Sequence, residues 1–309
     1  MDGNTLLYQL RQVLNESSGA TWLDTRTSYD LLYQAATATA FRINSPTTTQ
    51  SITTVASQTN YALNADYLKM YLTDSQDRNF IKYYDGTSYY WLYWREYGAL
   101  VLGNQTTSVK IPESFTIRDR AKESVYTGTS AAADETNNES ILTSSGATFV
   151  TSGVSAGDWI HNTTDASHGV VTSVTSNTIL TCCLYGGTDN EWDTSDAYKI
   201  VMQPRLEVVF DPPPSTASHT ATVYYVQKPA PVYTDYGFYK FNPTLTPSLV
   251  HYAAWLYKYR DRQPDFGDAF YKTWDMSTRN MNTILNQGLN RGGYRVNFIK
   301  NSSGSRSTR

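Results

Sequence analysis

The chain has 309 residues, with 25 Lys and Arg against 28 Asp and Glu and a formal net charge of −3. Apolar residues make up 40% and charged residues only 17%, which excludes charge-driven disorder, and 25 tyrosines among many Ser, Thr and Asn favour β-structure and part-polar contact surfaces. No apolar run reaches the ~18–20 residues of a membrane span, and the acidic opening MDGNTLLYQL is unlike a secretory signal, so neither a membrane partner nor export by that route is expected.

In chain order, residues 4–14 read as a short amphipathic helix, with Leu6, Leu7, Leu10, Val13 and Leu14 on one face. Asp24 is placed to cap a second helix running to about Ile43, whose Leu31, Leu32, Ala35, Ala36 and Ala40 imply close approach to a neighbour. The texture then turns to β. Strands are expected at 51–55, 67–72, 80–84 and 89–94, the last two joined by Asp85-Gly86. Further strands are expected at 111–117, 205–210 and 221–226, with Asp211-Pro-Pro-Pro ending the second of these.

Between the strands at 111–117 and 205–210 lies a segment of different character. From Val125 to Val201 there are nine acids and one lysine, a net of −8, which leaves +5 on the remainder of a chain totalling −3. It opens with a Ser/Thr/Asn-rich stretch, 126–145, that reads as a mobile connection. Short strands then follow at 148–150, 158–161, 169–174, 178–184 and 197–201, in the regular spacing of a small barrel or sandwich. Two helices come later. Thr246-Pro247 opens one, with Leu249, Val250, Ala253, Ala254 and Tyr257 inward, and the other begins near Pro264 and carries Phe270, Trp274 and Met281 on one stripe. Gly288 reads as its C-cap. After Asp275 no acid occurs, only Arg279, Arg291, Arg295, Lys300, Arg306 and Arg309. This basic tail reads in three ways: a solvated disordered end, a non-specific nucleic-acid contact, or a docking arm (289–309) whose Tyr294, Val296 and Phe298 alternate in a pattern suited to strand addition on a partner, the reading favoured here.

Residues that carry chemistry are sparse. Cys182 and Cys183 are adjacent, a spacing that rarely bridges, and together with the lack of any CxxC site this indicates a reducing compartment. His161, His168, His219 and His251 form no HxH or HExxH pattern. Asp189, Glu191, Asp193 and Asp196 resemble a calcium loop, but Thr194 and Ile200 stand where the sixth-position Gly and twelfth-position Glu belong, so a solvated acidic turn is expected. Asp66 with Asp74, or Glu96 with Asp119, could pair as glycosidase carboxylates, though nothing in their spacing selects them. No nucleophile elbow, Walker A or dinucleotide fingerprint occurs; the chain reads as a non-enzyme without cofactor or metal. Eight aromatics in the fifteen residues 83–97 (YYDGTSYYWLYWREY) suggest either a sugar- or base-stacking surface or a hairpin filling an interface.

The stretches LLYQLRQVLNESSGATWLDTRTSYDLLYQAATATAFR, SITTVASQTNYALNADYLKM, RLEVVFDPPP and LTPSLVHYAAWLYKYRDRQPDFGDAFYKTW, in that order, resemble the head-to-tail adaptor (connector) proteins of tailed phages, with Asn64 where the family usually carries Pro. The text GVSAGDWIHNTTDASHG…GGTDNEW looks like a β-module recurring in phage virion proteins. The resemblance implies an α+β fold with a helical adaptor core and a β-sheet region (1–124 and 202–288) and an extended C-terminal arm (289–309); the inserted small all-β domain, barrel- or sandwich-like (125–201), is read from the residues and is not part of the family's minimal pattern. It further implies a structural virion protein at the head–tail interface, assembled in the host cytoplasm into a ring of twelve subunits. Such a ring binds the portal above and a tail, nozzle or tail-terminator protein below, and passes DNA without reading it during packaging retention and ejection. Arg291, Tyr294, Arg295, Val296, Phe298, Lys300, Arg306 and Arg309 are the arm residues expected to meet the portal. The alternative is a tail-fibre or receptor-binding protein recognising surface carbohydrate through the aromatic hairpin and the β-insert.

Overall fold

The computed structural model describes residues 2–16, 23–71, 79–96, 108–120, 124–134, 140–233, 237, 239–260 and 264–285. Helix α1 spans Gly3–Leu14 and α2 Thr25–Ile43. Each begins on an aspartate whose carboxylate accepts a backbone N–H three residues on, Asp2 from Thr5 and Asp24 from Thr27. Each ends on an asparagine in the left-handed region, Asn15 at φ 56° and Asn44 at φ 55°, which closes the last turn.

Strands β1 (Thr47–Thr53), β2 (Asn60–Ala62), β3 (Tyr67–Met70), β4 (Phe80–Tyr84), β5 (Tyr89–Trp94), β6 (Ser114–Arg120), β13 (Arg205–Asp211) and β14 (Thr220–Gln227) build an eight-stranded sheet in the order β1-β14-β4-β5-β6-β13-β2, with β3 also paired to β14. Its inner face buries Ile52, Tyr61, Ile81, Tyr83, Leu92, Phe115, Val208, Phe210, Ala221 and Val223. The sheet curls until its two ends meet. Gln50 on β1 donates its side-chain amide to Ala62 O at 3.0 Å, and its amide oxygen accepts Asn64 N at 2.9 Å. One side chain thus supplies the donor and acceptor that a missing ladder would have supplied across the open edge.

The second sheet has six strands, β7 (Ser124–Thr129), β8 (Ser140–Thr143), β9 (Trp159–Asn162), β10 (Ser167–Val174), β11 (Ile179–Tyr185) and β12 (Ala197–Met202), in the order β7-β12-β9-β10-β11-β8. Its ends meet through backbone: Ala131 N, just past β7, donates to Thr143 O of β8 at 2.6 Å. Leu142, Phe149, Ile160, Leu180, Trp192, Tyr198 and Ile200 fill its interior, with a one-turn helix α3 (Phe149–Ser152) as a plug.

Helices α4 (Thr246–Arg260) and α5 (Pro264–Leu285) complete the described elements. α1, α2 and α4 bury Leu6, Leu10, Leu32, Ala35, Ala36, Ala40, Leu249 and Ala253 against one another and against Val226, Val232 and Phe241. Trp274 of α5 donates its indole N–H to Thr39 Oγ1 at 2.9 Å.

The expected helical core with an added β-region is therefore corrected. The described chain is mostly β, with fourteen strands in two curled, near-barrel sheets and five helices beside them, one of only four residues. The reason is that each sheet closes on itself around its own apolar interior, so neither depends on helices for a core. Three local expectations are corrected too. The stretch 126–145, read as a mobile connection, holds β7 and β8, while 135–139 lie outside the described residues. The strand expected at 148–150 belongs to α3, because Thr148 N binds Tyr126 OH and Thr151 N binds the Asn177 side chain. The strand expected at 51–55 is instead Thr47–Thr53.

The two sheets meet along a polar seam. Arg205 of β13 reaches Asp158, just before β9, at 3.0 Å, with the Asp158 side chain fully buried and Arg205 nearly so. Asp158 also accepts Ser155 N and Gln203 N. Beside it Asp66 N donates to Ala156 O, and Gly157 at φ +93° lets the two backbones touch: a Cβ there would lie 2.5 Å from Asp66 N.

Candidate interaction surfaces

The histidines, the cysteines and the carboxylates Asp189 and Asp196 singled out by sequence are engaged in local contacts. His219 is buried, its Nδ1 3.0 Å from Tyr83 OH, and His251 Nδ1 faces Pro247 O at 3.1 Å. His161 and His168 sit opposite each other on β9 and β10 with ring centroids 6.1 Å apart, and burial lowers the pKa of His161. In the acidic turn, Asp196 accepts from Asn162 Nδ2 and from Asp193 N, both at 2.8 Å, and Asp189 accepts Glu191 N. These carboxylates shape the turn itself. Among the described residues no group of three His, Cys, Asp or Glu is placed to hold a metal. Cys182 and Cys183 are both buried and unbridged; Trp192 Nε1 donates to Cys182 Sγ at 3.2 Å, and burial pushes that thiol far up in pKa.

Asp66, one of the carboxylates considered for catalysis, accepts Tyr225 OH at 2.8 Å and Gln227 Nε2 at 2.7 Å; burial raises its pKa despite these bonds. Its suggested partner Asp74 lies outside the described residues, as do Gly288 and all eight residues assigned to portal contact, Arg291, Tyr294, Arg295, Val296, Phe298, Lys300, Arg306 and Arg309.

The aromatic hairpin is resolved in detail. Asp85 accepts the N–H groups of Thr87 and Ser88, which with the Lys110 ion pair pull its carboxyl down to about 2 and fix the turn. Period-2 alternation then divides β4 and β5. Ile81, Tyr83 and Leu92 go into the core, while Phe80, Lys82 and Tyr84 face outward beside Tyr93, Trp91 and Tyr89. Tyr89 is 59% and Trp91 50% exposed. The outward rings order one another: Phe80 meets Trp91 edge-on at 5.0 Å, Tyr84 meets Tyr89 at 4.7 Å, and Lys82 Nζ lies 3.9 Å from the Tyr89 ring centre. The hairpin is thus half core and half exposed wall, a division the composition of 83–97 signals and the period of 2 predicts.

A second aromatic surface was not anticipated from sequence. On α4 and α5, Tyr252 lies 5.0 Å from Trp255 and 4.5 Å from Trp274, and Tyr271 lies 5.0 Å from Trp255 and 5.4 Å from Trp274. Tyr259 extends the cluster at 5.9 Å from Trp255 and is 64% exposed; Phe266 nearby in sequence on α5 is 73% exposed. Gly267 permits the crossing, since a Cβ there would lie 3.2 Å from Trp255 Cδ1. The signal was present in the i, i+4 spacing of Trp255 and Tyr259, but the stripe through Phe270, Trp274 and Met281 is the buried or half-buried one.

No protein-family model matches the chain, and no curated protein matches it.

Proposed function

We propose that this chain is a structural virion protein, a subunit of the head-to-tail adaptor ring that binds the portal and connects it to the tail. The sequence resemblance supplies the class. The observation that carries it is the partly exposed aromatic cluster of α4 and α5, in which Trp255, Tyr259 and Tyr271 extend large rings away from the helix core. Rings of this kind are costly to leave in water and are enriched where subunits meet. A head-to-tail ring gives every subunit two neighbours, so such a face is covered once in each copy. DNA passes through the lumen without sequence readout, and the basic stretch 289–309 is the proposed portal contact.

Tyr259→Glu tests this directly. A carboxylate at that exposed tip should leave the denaturation midpoint of the monomer unchanged and abolish the ring that forms on the portal. A ring that assembles as in the wild type would remove the helix face from the account.

A further inference from the structure

The outer wall of the eight-stranded sheet has an order that assembly does not require. Its registers line up across four neighbouring strands. Ser51 pairs with Thr222, Thr222 with Lys82 and Lys82 with Trp91, so these four outward side chains form one row. The next row, Thr53, Thr220, Tyr84 and Tyr89, is built the same way. Each row runs from two hydroxyl side chains on β1 and β14 to an aromatic on β5. With strands ~4.8 Å apart a row spans about 14 Å, and the two rows lie ~6.8 Å apart along the strands.

We propose that this wall binds a neutral polysaccharide, with sugar rings stacked on Trp91 and Tyr89 and sugar hydroxyls bonded to Ser51 and Thr222. The chemistry of the wall selects this occupant. A pyranose has an apolar C–H face, which an aromatic ring covers, and a rim of hydroxyls, which Ser and Thr can both donate to and accept from. The rings are already held by Phe80–Trp91 and Tyr84–Tyr89 contacts, so little ordering is lost on binding. Charge argues against the other occupants. Lys82 is the only charged side chain in the two rows, too little for a nucleic-acid backbone. A second protein copy would bury the Ser and Thr half of the wall and leave its hydroxyls seeking partners.

The test is affinity electrophoresis of the full chain in gels cast with dextran, mannan, galactomannan or hydroxyethylcellulose, with oligo(dT) as the competing probe. At least one neutral polysaccharide should retard the wild type. Trp91→Ala should weaken that retardation about tenfold, the order of one lost stacked ring. Trp91→Phe and Lys82→Gln should keep it, and Thr222→Val should weaken it about threefold, as loss of one net hydrogen bond would. If Trp91→Ala does not fold, Thr222→Val and Tyr89→Ser carry the test. Retardation by none of the four, or retardation that Trp91→Ala leaves unchanged, overturns the proposal. So does tight oligo(dT) binding lost in Lys82→Gln, or a concentration-dependent dimer that Trp91→Ala dissolves. Because the helix face is untouched by these variants, failure here leaves the adaptor proposal standing, and the converse holds.

Discussion

The eight-stranded sheet collects its strands from both sides of the segment that forms the other sheet: β1 pairs with β14, 47 with 226 in number, and β2 pairs with β13. The six-stranded sheet draws all its strands from one continuous stretch between Ser124 and Met202. The first is closed by side chains, Gln50 bonded to Ala62 and Asn64 and Tyr61 bonded to Val55, and the second by a main-chain hydrogen bond from Ala131 to Thr143. A near-barrel assembled from distant strands thus depends on few, specific side-chain links at its edges. One built locally can rely on backbone.

The largest loss is expected at the seam, where Arg205 of one sheet meets buried Asp158 of the other. Arg205→Ala leaves Asp158 buried with its carboxyl uncompensated, at a cost of about 3–5 kcal/mol. Amide exchange in denaturant, read separately in the strands of each sheet, should show a large loss, with the two sheets no longer opening together. An unchanged, coincident transition would mean the sheets are not coupled there.

A smaller effect is expected at the closure itself. Gln50→Ala removes two hydrogen bonds across the open edge and should cost about 1–2 kcal/mol. Amide exchange should quicken in β1 and β2 and stay unchanged in β7 to β12. Uniform acceleration over both sheets would contradict the local role of Gln50.

The smallest effect concerns pH. Burial raises the pKa of Asp66 above its ordinary 3.8, so the folded chain binds that proton more readily than the unfolded one. The stability from this group is full below 3.8 and is lost as pH rises through the raised folded value. Relative to Asp66→Asn, the wild type should therefore gain stability as pH falls from about 7 to about 4, measured by urea midpoints. A difference that runs the other way would mean the Tyr225 and Gln227 hydrogen bonds outweigh burial.

Much of this fold was legible where the signal is local. The Asp24 cap, the Asp85-Gly86 turn and the proline stop after Asp211 each act within a few residues, and each is formed at the position its residues indicate. What was not legible depends on distant partners. β2 is three residues long and exists because β13 pairs with it. β7, SVYTGT, has no apolar alternation, and its place is set by β12. The strand-like run 148–150 is a helical turn instead because Asn177, 26 residues away from Thr151, captures the Thr151 N–H. Expecting a helical core followed from the resemblance and from clear helix caps, whereas sheet closure is carried by Gln50 contacts that no periodicity announces. The candidate surfaces divide similarly. The hairpin wall is visible in composition, while the rows joining it to β1 and β14 appear only with the register.

Native mass by light scattering, of the protein alone and after mixing with portal rings, tests the adaptor proposal. The protein alone should be a monomer that passes into a ring-sized complex only when portal is present. A stable trimer indifferent to portal would contradict the proposal.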